Sequence, residues 1–357
     1  MRSRGWLVAG LLALACGGKS QPVISCDPVG DSRPLCGFRN PEDLVALPGA
    51  ASLLVSEYGG LGGEHPGAIA RLDLASEART VLYRGGDGGE KLAGWGDPAC
   101  PGAPTDFAPH GIDLVRRGDG ALALLAVNHA GRESIEYFEV EGEDGSARLA
   151  WRGCVVAPER GWWNEVVATP DGGFYASHML PKRGGVGQLV ELFRAAVLHR
   201  ASGYVVRWTP SQGFAQVPGT EVVFANGIAL SPDGASLYVN SSLGDGLRRV
   251  SLATGEVEAK VALPGLDNLA WGSDGMLYAA SITSGVLVVQ ACNDLPRGAC
   301  PAAFEIVRVD PRTLATEVVY HGDGAPMGGG TVGLRVGDEL FIGSFAGDRV
   351  LRVALRR

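Results

Sequence analysis

The chain has 357 residues, 54 of them glycine, with 20% charged residues and a formal net charge of −8. That length can bury a large core, and the acidic balance argues against a nucleic-acid partner, since no basic stripe is present to neutralise phosphates. Helical periodicity is rarely sustained, whereas many short apolar runs broken by Gly and Pro read as strands of an all-β fold.

The chain opens with Arg2 and Arg4 ahead of "WLVAGLLALA", an apolar run too short to span a bilayer stably. It ends at Cys16, and "ALAC" is similar to the lipobox of bacterial lipoproteins. Residues 1–15 are therefore expected to be a signal peptide, with an ordinary secretory peptide as the alternative. The lipoprotein reading predicts an exported protein held to the membrane of the cell envelope, outer membrane or periplasm, through lipidated Cys16. Residues 16–40, rich in Gly, Ser and Pro, are expected to be a tether and lead-in, and residues 41–357 the folded domain. Beyond Cys16 lie six cysteines, Cys26, Cys36, Cys100, Cys154, Cys292 and Cys300. An even number in an exported chain favours disulfides. Fifteen pairings can be drawn from six cysteines; local spacing favours Cys26–Cys36 and Cys292–Cys300, which leaves Cys100 and Cys154. No Cys or Cys/His spacing suggests zinc.

From residue 42 onward one unit recurs. "EDLVALPGAASLLVSEY" (42–58), "HGIDLVRRGDGALALLAVNH" (110–129), "NEVVATPDGGFYASHM" (164–179), "FANGIALSPDGASLYVNSS" (224–242) and "DNLAWGSDGMLYAASI" (267–282) share a plan, and "GTVGLRVGDELFIGSF" (330–345) is a weaker sixth copy. Each is a short strand, a Gly/Asp turn and a second apolar-alternating strand. A third strand with a recurrent Arg tends to follow, as in "AIARLDL", "YVVRWTP" and "EIVRVDP". Copies roughly 40 to 70 residues apart fit propeller blades with variable loops. The expectation is one six-bladed β-propeller. Between the third and fourth copies, "GQLVELFRAAVL" (187–198) sets Leu189, Leu192, Phe193, Ala196 and Val197 on one face of a predicted helix. That helix should rise over the channel mouth, either packed on the rim as a lid or in contact with a membrane.

Aligned on their turns, the copies begin with Glu42, His110, Asn164, Asn226 and Asp267-Asn268, while the sixth offers Gly330-Thr331. Asparagine and glycine are poor strand residues, so their repetition at strand starts needs a cause. In a propeller the first strand of each blade lines the central channel, and these side chains converge there. Two carboxylates and three carboxamides are hard oxygen donors, the set that calcium takes, whereas zinc prefers His and Cys. A turn-capping role is the bland alternative for any single Asn.

"NPEDLVALP", "APHGIDL", "LLAVNH", "WNEVVA", "FANGIALSPDG" and "LDNLAW", in this order from about residue 40, resemble the serum paraoxonases, six-bladed calcium-dependent arylesterases and lactonases. The resemblance implies a catalytic calcium held by Glu42, Asn164, Asn226, Asp267 and Asn268. It also implies a histidine dyad, with His110 as general base toward water and His129 as its proton-shuttling partner. A second, structural calcium is implied on Asp43, the Ile112 carbonyl and the position of Glu165, where the family has Asp. One extra methylene changes the reach, and occupancy of that site stays open. The family's disulfide to the chain end has no counterpart after Cys300, so closure must rest on strand pairing. Its insertion at the 187–198 position helps form the active-site rim and touches lipid. No Gly-x-Ser-x-Gly elbow occurs in the chain, so water is the expected nucleophile acting on a small lactone or ester. His178, in "YASHM", is expected at the mouth, solvated rather than catalytic. Two other readings stand beside the lactonase: a non-enzymatic binding propeller and a gluconolactonase-type sugar lactonase.

Overall fold

The computed structural model describes residues 21–60, 63–292, 295 and 297–355. The expected signal peptide and Cys16 lie outside the described residues. The chain forms six four-stranded antiparallel sheets, a six-bladed β-propeller. The innermost strands of blades one to six are Pro41–Ala46, Pro109–Arg116, Trp163–Ala168, Ala225–Leu230, Leu266–Trp271 and Gly330–Val336. Each lies against the next and the sixth against the first, so the ring is complete. Each repeat found in the sequence supplies the first two strands of one blade; in the fourth these are Ala225–Leu230 and Ser236–Ser241, joined through the Pro232-Asp233-Gly234 turn.

Closure does rest on strand pairing. Ser32–Cys36 pairs antiparallel with Arg349–Ala354 and becomes the outermost strand of the sixth blade. The segment expected as tether and lead-in thus contributes a strand. Arg349, fully buried, reinforces the junction. Its guanidinium donates to the carbonyls of Val23 (2.9 Å), Ser25 and Pro326 (3.0 Å) and to the Asp348 carboxylate. The cysteines pair as Cys26–Cys36, Cys100–Cys154 and Cys292–Cys300. The first ties the N-terminal segment to the closing strand, and the second fastens the blade one to blade two connection onto the outer strand Arg148–Val156.

The recurrent third-strand arginines link strands to turns. Arg207 binds Asp171 of its own blade's turn (2.6 Å), and Arg308 binds Asp274 in the same way (3.2 Å). Arg352 spans the seam between last and first blades, bonding Glu339 (2.6 Å) and Glu77 (2.9 Å). Between blades the core is apolar, with Trp151, Trp163, Phe138, Phe174, Phe304 and Phe341 all deeply buried.

The helix α1 forms at Gly185–Ala196, but its apolar face is not the one that packs. Glu191 and Ala195 are buried, and Leu192 rests partly buried against Trp162, Met179 and Leu180. Leu189, Phe193 and Val197 of the predicted apolar face are 66%, 53% and 57% exposed. Glu191 pairs with Arg183, which precedes the helix, and with Arg194 one turn along it. Among the described residues no helix is long and apolar enough to cross a membrane.

Candidate functional site

The pairing of first and second strands is irregular at the same place in all six blades. The register shifts between Pro41 and Asp43, Pro109 and Ile112, Trp163 and Val166, Ala225 and Ile228, Leu266 and Leu269, and Gly330 and Val332. The first residues inside those intervals are Glu42, His110, Asn164, Asn226, Asp267 (followed by Asn268) and Thr331; Gly111, Glu165 and Gly227 complete the longer ones. A bulge re-aims the side chain it contains, and here six bulges turn these residues into the axis of the ring. The adjoining glycines follow from the crowding. A Cβ on Gly227 would come within 2.5 Å of the Asp267 carbonyl oxygen, and one on Gly111 within 2.6 Å of the Asn164 carbonyl oxygen. Neighbouring inner strands approach too closely there for any larger residue. That is why Asn-Gly and His-Gly head these strands.

Apart from Asp267, which is half-buried, the side chains so gathered are buried, and the group is short of partners. Asn268 donates through Nδ2 to Glu42 Oε1 (2.7 Å), and the Asn226 side chain hydrogen-bonds Asp267. Asn240 supports the group from the second strand of blade four, donating to the Asp267 carbonyl (2.7 Å). Yet Glu42 Oε2, Asn164 Oδ1, Asn226 Oδ1 and Asn268 Oδ1 are buried oxygens without any hydrogen-bond partner. Such orphaned acceptors are costly unless something satisfies them. Burial pushes the Glu42 carboxyl up to about 8 against the Asn268 hydrogen bond, and burial with the nearby Glu42 charge raises Asp267 well above the ordinary range. No Lys or Arg among the described residues pairs with either. Buried carboxylates beside unsatisfied carboxamide oxygens fit a hard divalent cation. Among the described residues no group of three His, Cys, Asp or Glu could hold a metal. Only Glu42 and Asp267 of the five are of those types, and the rest are carboxamides, which suits calcium and not zinc.

Both expected histidines stand beside this group. His110 Nδ1 lies 2.8 Å from the Asn164 carbonyl oxygen. A carbonyl only accepts, so Nδ1 carries the hydrogen and Nε2 keeps its lone pair, 3.7 Å from Glu42 Oε1. Burial lowers His110 to about 4, against the Asn164 carbonyl and Glu133. The His129 ring packs edge-on to that of His110 with centroids 5.2 Å apart, and Tyr58 lies edge-on to His110 at 4.7 Å. No direct hydrogen bond joins the two histidines. His129 Nδ1 instead meets Glu133 Oε1 at 2.8 Å, and its Nε2 is buried without a partner.

His178 corrects the expectation of solvation. It is 5% exposed, accepts the Trp162 N–H through Nδ1 (3.2 Å) and packs on the Tyr204 ring. Asp43, Ile112 and Glu165 do come together. The Ile112 N–H donates to Asp43 Oδ2 (2.8 Å), the Leu44 N–H to Asp43 Oδ1 (2.8 Å) and the Val166 N–H to Glu165 Oε1 (2.8 Å). These bonds use N–H groups, and no orphaned oxygen marks this second set as it marks the first. Asp43, Asp113 and Glu165 line a channel cavity of about 520 Å³ on the other side of the bulges, away from the histidines.

Glu133, Tyr58 and Asn240 were not legible beforehand. Glu133 follows His129 by four residues in "NHAGRE", but across a turn that spacing has no fixed geometry. Tyr58 ends the second strand of blade one, the place His129 takes in blade two, which was the one available signal.

Residues 130–292 match the family model described as the SMP-30/Gluconolactonase/LRE-like region, so the chain carries a region of that kind. Human serum paraoxonase/arylesterase 1 is 31% identical over 205 residues, covering 56% of this chain and 52% of the human protein, about half of that relative's length. Among solved structures, a gluconolactonase from Xanthomonas campestris superposes with a TM-score of 0.50 at 15% identity, over 94% of this chain and 95% of that one. A luciferin-regenerating enzyme gives 0.51 at 12% identity, over 90% and 92%. At such identities the two structures speak for the fold alone.

Proposed function

We propose that this propeller, with its SMP-30/gluconolactonase-like region, is a calcium-dependent hydrolase of lactones and aryl esters. The observation that carries the reading is the gathering of three unpartnered buried carboxamide oxygens, from blades three, four and five, with the carboxylates of Glu42, itself keeping one unpartnered oxygen, and Asp267. Glu42, Asn164, Asn226, Asp267 and Asn268 would hold the ion. Bound there, calcium would offset the carboxylates and favour negative charge on a substrate oxygen. His110, neutral and fixed as the Nδ1–H tautomer, offers Nε2 to take a proton from water. His129 presents a second basic Nε2 behind it. Tyr58 walls the dyad and keeps bulk water from it. The human relative's name, paraoxonase/arylesterase, supports ester hydrolysis; the region match supports a sugar lactone as the second reading. Asp43, the Ile112 carbonyl and Glu165 are the proposed place of a second, structural calcium.

The test is a panel of aliphatic lactones, sugar lactones and aryl esters, assayed with calcium and after chelation. Activity lost on chelation and restored by calcium is expected, with aliphatic lactones and aryl esters preferred to sugar lactones. Turnover untouched by complete calcium removal would sink the reading, and a strict sugar-lactone preference would move it to the second. Stability should respond in step. Burial raises Glu42 to about 8 and Asp113 to about 7. In calcium-free protein a raised carboxylate pKa contributes stability that is full below the ordinary carboxylate range and is lost as pH rises through about 7–8. The Tm drop on chelation should thus be larger at pH 8 than at pH 5; equal drops would count against the site.

We also place the protein in the cell envelope through Cys16. Cys16→Ser is expected to shift it from the membrane to the soluble exported fraction, and an unchanged distribution would leave only the ordinary signal peptide.

A further inference from the structure

A third ionisable group stands behind the dyad. Glu133 is nearly buried, with 9% of its side chain exposed, and both of its oxygens are engaged. Oε1 meets His129 Nδ1 at 2.8 Å and accepts the Trp163 N–H at 2.9 Å, and Oε2 accepts from Lys182 Nζ at 2.9 Å. We propose that Glu133 is the positioning residue of the hydrolytic site: it holds His129 as the Nδ1–H tautomer, which leaves the lone pair on Nε2 of a ring packed against His110, and is itself held by Lys182 and the Trp163 peptide. This rests on the hydrolase reading given above.

His110 and Tyr58 stand edge-on to the His129 ring, and Glu133 supplies the one hydrogen bond to a ring nitrogen among the described residues, Nε2 having no partner. Neutral imidazole can carry its hydrogen on either nitrogen, and the partner decides which. The Trp163 N–H and the Lys182 ammonium both donate to Glu133, and a cationic donor favours the ionised carboxylate, which can only accept from His129 Nδ1. Burial works to raise the Glu133 carboxyl, but His129 and Lys182 outweigh it and hold it below its ordinary value. The Trp163-Asn164 stretch then serves both rings. The Trp163 N–H fixes the carboxylate behind His129, and the Asn164 carbonyl fixes His110. A bulge in blade three therefore sets both imidazoles at once. Lys182 lies in the segment leading into α1, next to Arg183, which pairs with Glu191 of that helix.

The experiment uses calcium-loaded full-length protein and reads two things, lactone kinetics and the His129 tautomer by ¹⁵N NMR of the imidazoles. The wild type should show His129 protonated at Nδ1. Glu133→Gln is expected to lower lactone kcat about 10–100-fold with KM little changed and calcium content retained, since removing an outer partner of a site residue costs about this much. It should also populate the Nε2–H form of His129. Glu133→Asp should recover part of both readouts, which a merely structural role would not predict. Should Glu133→Gln fail to fold, Lys182→Met replaces it, with a smaller kcat loss of about 3–10-fold and a partial tautomer shift expected. A wild-type His129 protonated at Nε2, or a tautomer and kcat indifferent to these substitutions, overturns the role of Glu133. If the wild type hydrolyses no lactone or ester, the hydrolase reading fails by itself, while the tautomer still reports whether Glu133 orients His129.

Discussion

Asp267→Ala is expected to remove bound calcium and lactone hydrolysis together. Asp267 and Glu42 are the only carboxylates of the five residues gathered at the axis, and the remaining donors are neutral carboxamides. Deleting one halves the negative charge available to a divalent ion, and calcium affinity follows ligand charge. Calcium-free protein should respond in the opposite sense. Without the ion, buried Glu42 and half-buried Asp267 face one another, and like charges at such a site raise each other's cost of ionisation. Removing Asp267 relieves that repulsion, so metal-free Asp267→Ala should be no less stable than metal-free wild type at pH 8. Elemental analysis, lactone turnover and thermal unfolding in chelator separate the effects. A variant that keeps stoichiometric calcium and wild-type turnover would remove Asp267 from the site.

His110→Gln should divide those properties. The substituted side chain reaches a similar length and can still donate to the Asn164 carbonyl, so fold and calcium are expected to persist. What is lost is the basic Nε2 beside Glu42. General-base removal costs about 10²–10⁴ in rate, and lactone turnover should fall by that order. His129→Gln should fall between this variant and wild type, because His129 stands one ring further from Glu42 and Asp267. The substrate has to be a lactone. A bound cation alone can stabilise developing charge on an activated ester or phosphotriester and mask the loss. Full lactonase activity in folded, calcium-loaded His110→Gln would end the dyad hypothesis and leave the metal site standing.

Much of this protein was legible in one dimension because its architecture is a repeat. A strand, a Gly/Asp turn and a second strand recur six times, and a unit that cannot bury its own faces must stack on copies of itself. Six copies therefore determined a closed six-bladed ring, and the aligned strand starts determined which side chains would meet on its axis. The same alignment explains Asn226-Gly227: the asparagine sits in the bulge and the glycine lets strands pass at contact distance. The third-strand arginines could be read as recurrent, but not what they bind, since Glu77 and Glu339 lie in different blades from one another.

Only the tertiary structure decided contacts that cross blades or turns, where sequence distance carries no geometric information. Glu133 behind His129, Lys182 behind Glu133 and Asn240 behind Asp267 are of this kind. So is the outer strand Ser32–Cys36, which pairs with residues more than three hundred positions away. The helix formed where its periodicity predicted, but its facing was open for a related reason: a period defines a face without saying which way that face turns. Glu191 and Ala195 face inward, and Leu189, Phe193 and Val197 are left exposed. His178 likewise became buried because Trp162 and Tyr204, from neighbouring segments of its own blade, close over a residue whose local sequence reads as a loop end. Local pattern specified the repeat and its axis; long-range packing chose the partners that orient what stands there.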